Sequence, residues 1–221
     1  MIVSKSDFSD IFENFAELLE ERFSEQEKFG DDEYRCEEDT IRYFFFSAAT
    51  STGYYEAGDF WLEGHFYDGK NTELDTFIKP KDEKESVAIE FKYNRLHNEK
   101  SDGAKTDNAG NIFRDLNRLA HLGKKAQRKL FVYVANDVMK EYFSAGNSLW
   151  SKSAGNLPLK KDDVLRITKD CIRELENKKG CKTFFRKAAE GEKFDRDFTV
   201  TCVFEKQIGE KEFLYIYEIQ D

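Results

Sequence analysis

The chain is poor in proline, histidine and cysteine, and each shortage removes a class of protein. Two Pro in 221 residues leave no Pro-rich linker. Three His, at His65, His97 and His121, are poor material for a multi-histidine metal centre or a His-driven nucleophilic triad. The four Cys, at Cys36, Cys171, Cys181 and Cys202, form no C-x-x-C pair. That argues against zinc ribbons and thioredoxin-type motifs, and reduced, mostly buried thiols are expected. No apolar run approaches the ~20 residues of a membrane span, and P-loop, G-x-G-x-x-G and internal repeats are missing. The opening stretch MIVSKSDFSDIFENF lacks the charged and apolar regions of a secretory signal, so a cytoplasmic protein with no membrane partner is expected.

Aromatic residues are abundant: 21 Phe, 10 Tyr and 2 Trp exclude a disordered chain. At about 100–200 residues per domain, the length fits one domain with a substantial core. The expected layout over residues 1–221 is an N-terminal helix at 6–23, a core at about 36–146 and an α-β-β extension at 161–219.

Charge is uneven along the chain. The net charge is −9, yet residues 92–129 hold 10 bases and 4 acids, while residues 1–39 hold 14 acids and 4 bases. A local basic segment can meet phosphates on an acidic protein, because charges beyond about 8–10 Å are largely screened. The alternative is a solvated loop and helix face.

Periodicity orders the elements. Helical spacing of Phe8, Ile11, Phe12, Phe15, Leu18, Leu19 and Phe23 predicts the first helix, and 24–35 reads as a connection. Residues 36–50 predict a second helix with acids in its first turn. Strands are predicted at 59–67, 72–79 and 86–93, then a Gly- and Asn-rich loop from Asn94 to Asn111 and a helix at 112–122. Residues 130–135 read as a buried strand, with Asn136 or Asp137 capping a helix at 138–145. A loop at 147–160, a helix at 161–177 capped by Asp162 or Asp163, and strands at 197–205 and 212–219 follow. The fold class is therefore α/β, a three-layer sandwich with a central mixed sheet flanked by helices.

Alternation on the second and third strands isolates a polar cluster. Leu74, Thr76 and Ile78 share one face, and Asp75 lies on the other; Val87, Ile89, Phe91 and Tyr93 share one face, with Glu90 and Lys92 opposite. Charges in such an apolar strand cost free energy unless paired or bound to a metal. Two carboxylates suit a hard ion such as Mg²⁺, which polarises a phosphate and acidifies bound water. An adjacent ammonium orients that water or stabilises developing charge. A surface salt-bridge ladder on a half-exposed hairpin is the bland alternative.

Asp75, a 14-residue gap and then Glu90-Phe91-Lys92 resemble the PD-(D/E)XK nuclease signature. The resemblance covers about 100 residues, and the signature's Pro is Leu74 here. It implies a restriction-endonuclease-like α-β-β-β-α-β core, with Asp75, Glu90 and Lys92 catalytic. It further implies Mg²⁺ or Mn²⁺ held by Asp75 and Glu90, with Glu38 as a third carboxylate that Glu37 or Asp39 could replace. The implied activity is metal-dependent hydrolysis of DNA by a restriction or defence-type endonuclease, with RNA left open and a homodimer as a further option. Arg42, Arg95, Lys100, Lys105, Arg114 and Arg118 are the candidate phosphate contacts. The rival reading is a catalytically inactive module of the same fold that binds nucleic acid or a partner protein.

Overall fold

The computed structural model describes residues 5–29, 36–66, 73–81, 85–94, 102–145, 150–157, 160–190 and 194–221. Seven helices and seven strands are present among them. In chain order the helices are α1 (Lys5–Phe29), α2 (Glu38–Ser51), α3 (Asp102–His121), α4 (Asp137–Ser144), α5 (Ser151–Ala154), α6 (Lys169–Glu176) and α7 (Lys182–Ala188). The strands are β1 (Phe60–Gly64), β2 (Leu74–Ile78), β3 (Val87–Asn94), β4 (Arg128–Asn136), β5 (Val164–Ile167), β6 (Phe198–Gln207) and β7 (Glu212–Gln220). They form one open mixed sheet in the order β1-β2-β3-β4-β7-β6-β5. Only the β3–β4 pair is parallel, joined by the crossover through α3.

Helices cover both faces of this sheet. On β4, Leu130, Val132 and Val134 pack toward α1 and α2, while Phe131, Tyr133 and Ala135 pack among residues of α3, α4 and α7. A strand buried on both faces reads as a continuous apolar run, which is why LFVYVA is legible without alternation. Phe45 locks α2 to its neighbours, with its ring 5.4 Å from Phe15 of α1 and 5.6 Å from Phe91 of β3. The cysteines are free thiols, Cys36, Cys181 and Cys202 buried and Cys171 half-buried.

Six elements differ from the sequence reading: α1, α3, α5, α6, α7 and β5. α1 runs on to Phe29 rather than stopping at 23. The added turns carry Gln26, whose buried Oε1 accepts the Cys36 backbone N–H at 2.9 Å and so fixes the entrance to α2. α3 begins at Asp102, inside the expected loop, so Lys105 stands on a helix. Two Gly and two Asn make that stretch a poor helix former, but packing against α7 overrides propensity. At Gly110 a Cβ would stand 2.6 Å from Lys187 Cβ and 2.8 Å from the Phe184 carbonyl oxygen, so only glycine lets α7 cross there.

The expected helix at 161–177 is instead the edge strand β5 followed by α6. The Thr168 hydroxyl, not Asp162 or Asp163, caps α6 by accepting Cys171 N–H at 3.3 Å. The stretch Val164-Leu165-Arg166-Ile167 pairs with β6 over Thr201 to Phe198. α5 and α7 fall where no helix was expected. The C-terminal strands are continuous with the core sheet, since β7 pairs with β4 along Leu130–Asn136. No helix of the described residues is long and apolar enough to cross a membrane.

Candidate active site

Glu38 and Arg42 of α2 meet Asp75 of β2 and Lys92 of β3 beside the start of α2. Glu37 precedes that helix in extended conformation, and its N–H donates to Thr40 Oγ1 at 3.4 Å. This start places Glu38 in the first turn and Arg42 one turn later on the same side. Glu38 Oε2 accepts from Lys92 Nζ at 3.0 Å and from the Tyr93 backbone N–H at 3.3 Å. Arg42 Nη2 donates to Asp75 Oδ1 at 3.1 Å. Two acid–base pairs thus join the helix to the two strands.

Asp75 sits where regular pairing ends. The β2–β3 register runs Ile78↔Val87, Phe77↔Ala88, Thr76↔Ile89. At the next position the Asp75 carboxylate intervenes, with Oδ2 accepting the Phe91 backbone N–H at 2.8 Å. On the other side, β1–β2 pairing passes from Leu62↔Thr76 to Gly64↔Leu74, skipping Asp75. The skipped β1 residue, Glu63, has φ +52°, uncommon for a residue with a side chain. This irregularity corrects the face assignment on β2. Leu74 packs in the same core as Phe77 and Ala88, not with Ile78.

Glu90 lies in a wholly buried stretch of β3, Val87–Phe91, and is itself buried. It occupies the face that Ala88 turns toward α3, with Phe131 of β4 at its register position. Lys92 is next along that face, with Tyr133 at its register position. The exposures of Asp75, Lys92 and Glu38 side chains, 20%, 23% and 33%, leave them within reach of a substrate.

Asp115 of α3, which the sequence places beside Arg114 and Arg118 on the helix after β3, joins this cluster. It is buried, accepts from Arg114 Nε at 3.0 Å and lies 3.5 Å from Arg118 Nη1. Burial pushes its carboxyl up, against the pull of Arg114, Lys92 and Arg118. Burial also pulls the Lys92 ammonium down, but Glu38, Asp115 and Asp75 outweigh it, and its pKa lies above the usual lysine value. In this arrangement Lys92 is a cation at neutral pH, a donor rather than a base. The available signal for Asp115 was its place in the helix after β3, one turn from Arg118.

The basic stretch is less free than its +6 net charge implied. Arg114 and Arg118 are tied to Asp115, Arg128 to Glu218 at 3.1 Å, and Lys129 to Asp221. Arg42 is shared by Asp75, Glu63 and Asp39. As phosphate contacts these groups would first have to leave their own partners. Arg95, Lys100 and His97 lie outside the described residues.

The donors Asp75, Glu90 and Glu38 offer only carboxylate oxygen, the chemistry that suits a hard divalent ion. Among the described residues no three His, Cys, Asp or Glu side chains are gathered as a ready metal site. Asp75 and Glu38 are instead neutralised by Arg42 and Lys92. Two clefts of about 330 and 300 Å³ lie elsewhere, one beside Lys140 and Phe213, the other beside Phe12 and Arg128. No protein-family model, curated protein or solved structure matches the chain.

Proposed function

We propose that the protein is a divalent-metal-dependent nuclease with a restriction-endonuclease-like core, acting on DNA. The observation that carries this reading is the Asp75 carboxylate bound to the backbone of Phe91, the residue between Glu90 and Lys92. The bond ties the Asp75 carboxylate to the backbone between an acid and an amine of β3, and two acids with an amine are a set suited to metal-dependent phosphodiester hydrolysis. The order of α2, β1, β2, β3, α3 and β4 also follows the α-β-β-β-α-β core of PD-(D/E)XK nucleases.

Asp75 and Glu90 would hold Mg²⁺ or Mn²⁺, with Glu38 as the third carboxylate. The ion supplies phosphate polarisation and a water of lowered pKa. Lys92 orients the attacking water or neutralises charge developing on the phosphate, as an ammonium bonded to Glu38. Glu38 holds the ammonium from α2 through its 3.0 Å hydrogen bond, and the charge of Asp115 on α3 adds to its field.

The test is cleavage of supercoiled plasmid with Mg²⁺. The wild-type protein should cut, and Lys92→Ala and Asp75→Ala should lose roughly 10²–10⁴-fold in rate. An intact plasmid, with linear, single-stranded and RNA substrates also uncut in Mg²⁺ and Mn²⁺, contradicts the reading.

One observation favours the inactive-module alternative: Asp75 and Glu38 are already charge-neutralised within the chain. That reading expects nucleic-acid binding without cutting, unchanged by Asp75→Ala.

A further inference from the structure

Arg42 gives its guanidinium to the chain's own acids. Nη2 lies 3.1 Å from Asp75 Oδ1, and Nη1 lies 3.1 Å from Glu63 Oε1 and 3.6 Å from Asp39 Oδ1. The Arg42 side chain is only 15% exposed, and its buried Nε has no partner. The Asp75 carboxylate is engaged on both oxygens, by Arg42 and by the Phe91 N–H. A divalent ion at Asp75 would bring a second positive charge against that guanidinium.

We infer that Arg42 is a stand-in cation: it neutralises Asp75 in the metal-free protein and is exchanged for the divalent ion when the ion binds. The inference rests on the nuclease reading and adds a positioning residue to it. The geometry suits exchange better than a permanent pair. When Arg42 leaves Asp75 it retains Glu63 and Asp39, so no buried guanidinium is stranded without a counter-charge. Glu63 is held for this purpose at a costly place. Its left-handed backbone stands opposite Asp75 where the β1–β2 ladder is interrupted, and such conformations persist only where their surroundings hold them. Asp75 also keeps the Phe91 N–H as a fixed anchor, so the carboxylate stays aimed while its cation changes. The released Nη2 can then donate to a substrate phosphate, which joins metal loading to substrate binding.

The experiment is titration of the purified protein with Mn²⁺ in the absence of DNA, with free Mn²⁺ followed by electron paramagnetic resonance. Wild type, R42Q, R42K and D75N are compared. R42Q should half-saturate at roughly three- to tenfold lower Mn²⁺ than wild type, because the competing ion pair is gone. R42K should fall between them, since an ammonium lacks the fork, and D75N should lose the site. Should R42Q fail to fold, R42K carries the same test against wild type. Equal or weaker Mn²⁺ binding by the Arg42 variants, still abolished in D75N, overturns the exchange and leaves the nuclease reading standing. No Asp75-dependent Mn²⁺ binding in any variant overturns both.

Discussion

Glu38 and Lys92 lie 54 residues apart in the chain, and their side chains meet at 3.0 Å. One belongs to a helix on one face of the sheet. The other belongs to a strand position whose neighbours Ala88 and Glu90 turn toward the opposite helices. The contact is made near the carboxyl end of β3, beyond the last β2–β3 register pair. The same Glu38 oxygen takes the Tyr93 N–H, so helix, strand backbone and ammonium share one carboxylate. Loss of that carboxylate would loosen Lys92 and the end of β3 together.

The Lys92 ammonium gives a pH dependence with a definite sign. Its folded pKa lies above the ordinary 10.5, because Glu38, Asp115 and Asp75 outweigh burial. The stabilisation is therefore complete below about 10.5 and is lost as pH rises through the folded value. We expect the stability difference between wild type and Lys92→Met to be constant from pH 7 to about 10 and to shrink above that. Urea denaturation across this range measures it. A difference that declines between pH 7 and 9 would show a lysine of lowered pKa, able to act as a base.

Gly110 sets a packing test away from the site. A methyl there would meet Lys187 and the Phe184 carbonyl of α7 at 2.6 and 2.8 Å. Overpacking of this kind costs about 1–3 kcal/mol. Gly110→Ala should therefore lower the thermal midpoint, whereas Gly58→Ala, with nothing within 4 Å of the added Cβ, should change it little. Equal midpoints for the two variants would mean that α3 and α7 do not cross at Gly110.

The ion pairs bear on DNA affinity. Arg114, Arg118, Arg128 and Lys129 are held by acids of the chain, so these four described bases are not available without rearrangement. For Lys92→Ala on duplex DNA we expect a shallow salt dependence, equivalent to about two to four phosphates rather than ten, with a slope near −0.9 per phosphate. Fluorescence anisotropy from low to physiological salt reads the slope. A much steeper slope would mean that DNA draws these arginines out of their pairs.

The elements that were legible in the sequence were those whose pattern is local. Alternation revealed β3, the apolar run LFVYVA revealed β4, and Asn136 announced α4 by capping Met139 N–H at 3.3 Å. Asp75, Glu90 and Lys92 stood out because charges in apolar strands demand partners. What escaped depended on contacts distant in sequence. The first turns of α3 are glycine- and asparagine-rich and are helical because α7 packs on Gly110. β5 reads as a helix until β6 is beside it. Leu74 changes face because Asp75 and Glu63 interrupt the ladder, which strict alternation cannot express. The +6 stretch looked like a phosphate cradle because Asp115, Glu218 and Asp221, which neutralise much of it, gave no sign of their partners.

The central claim is that Asp75 and Glu90 together take a divalent ion. Crystals soaked in Mn²⁺ and measured at a wavelength sensitive to manganese test it most directly. We expect an anomalous peak about 2–2.5 Å from carboxylate oxygens of both residues, with Arg42 withdrawn from Asp75. Saturating Mn²⁺ that leaves no peak there, with Arg42 still bonded to Asp75, would contradict the account.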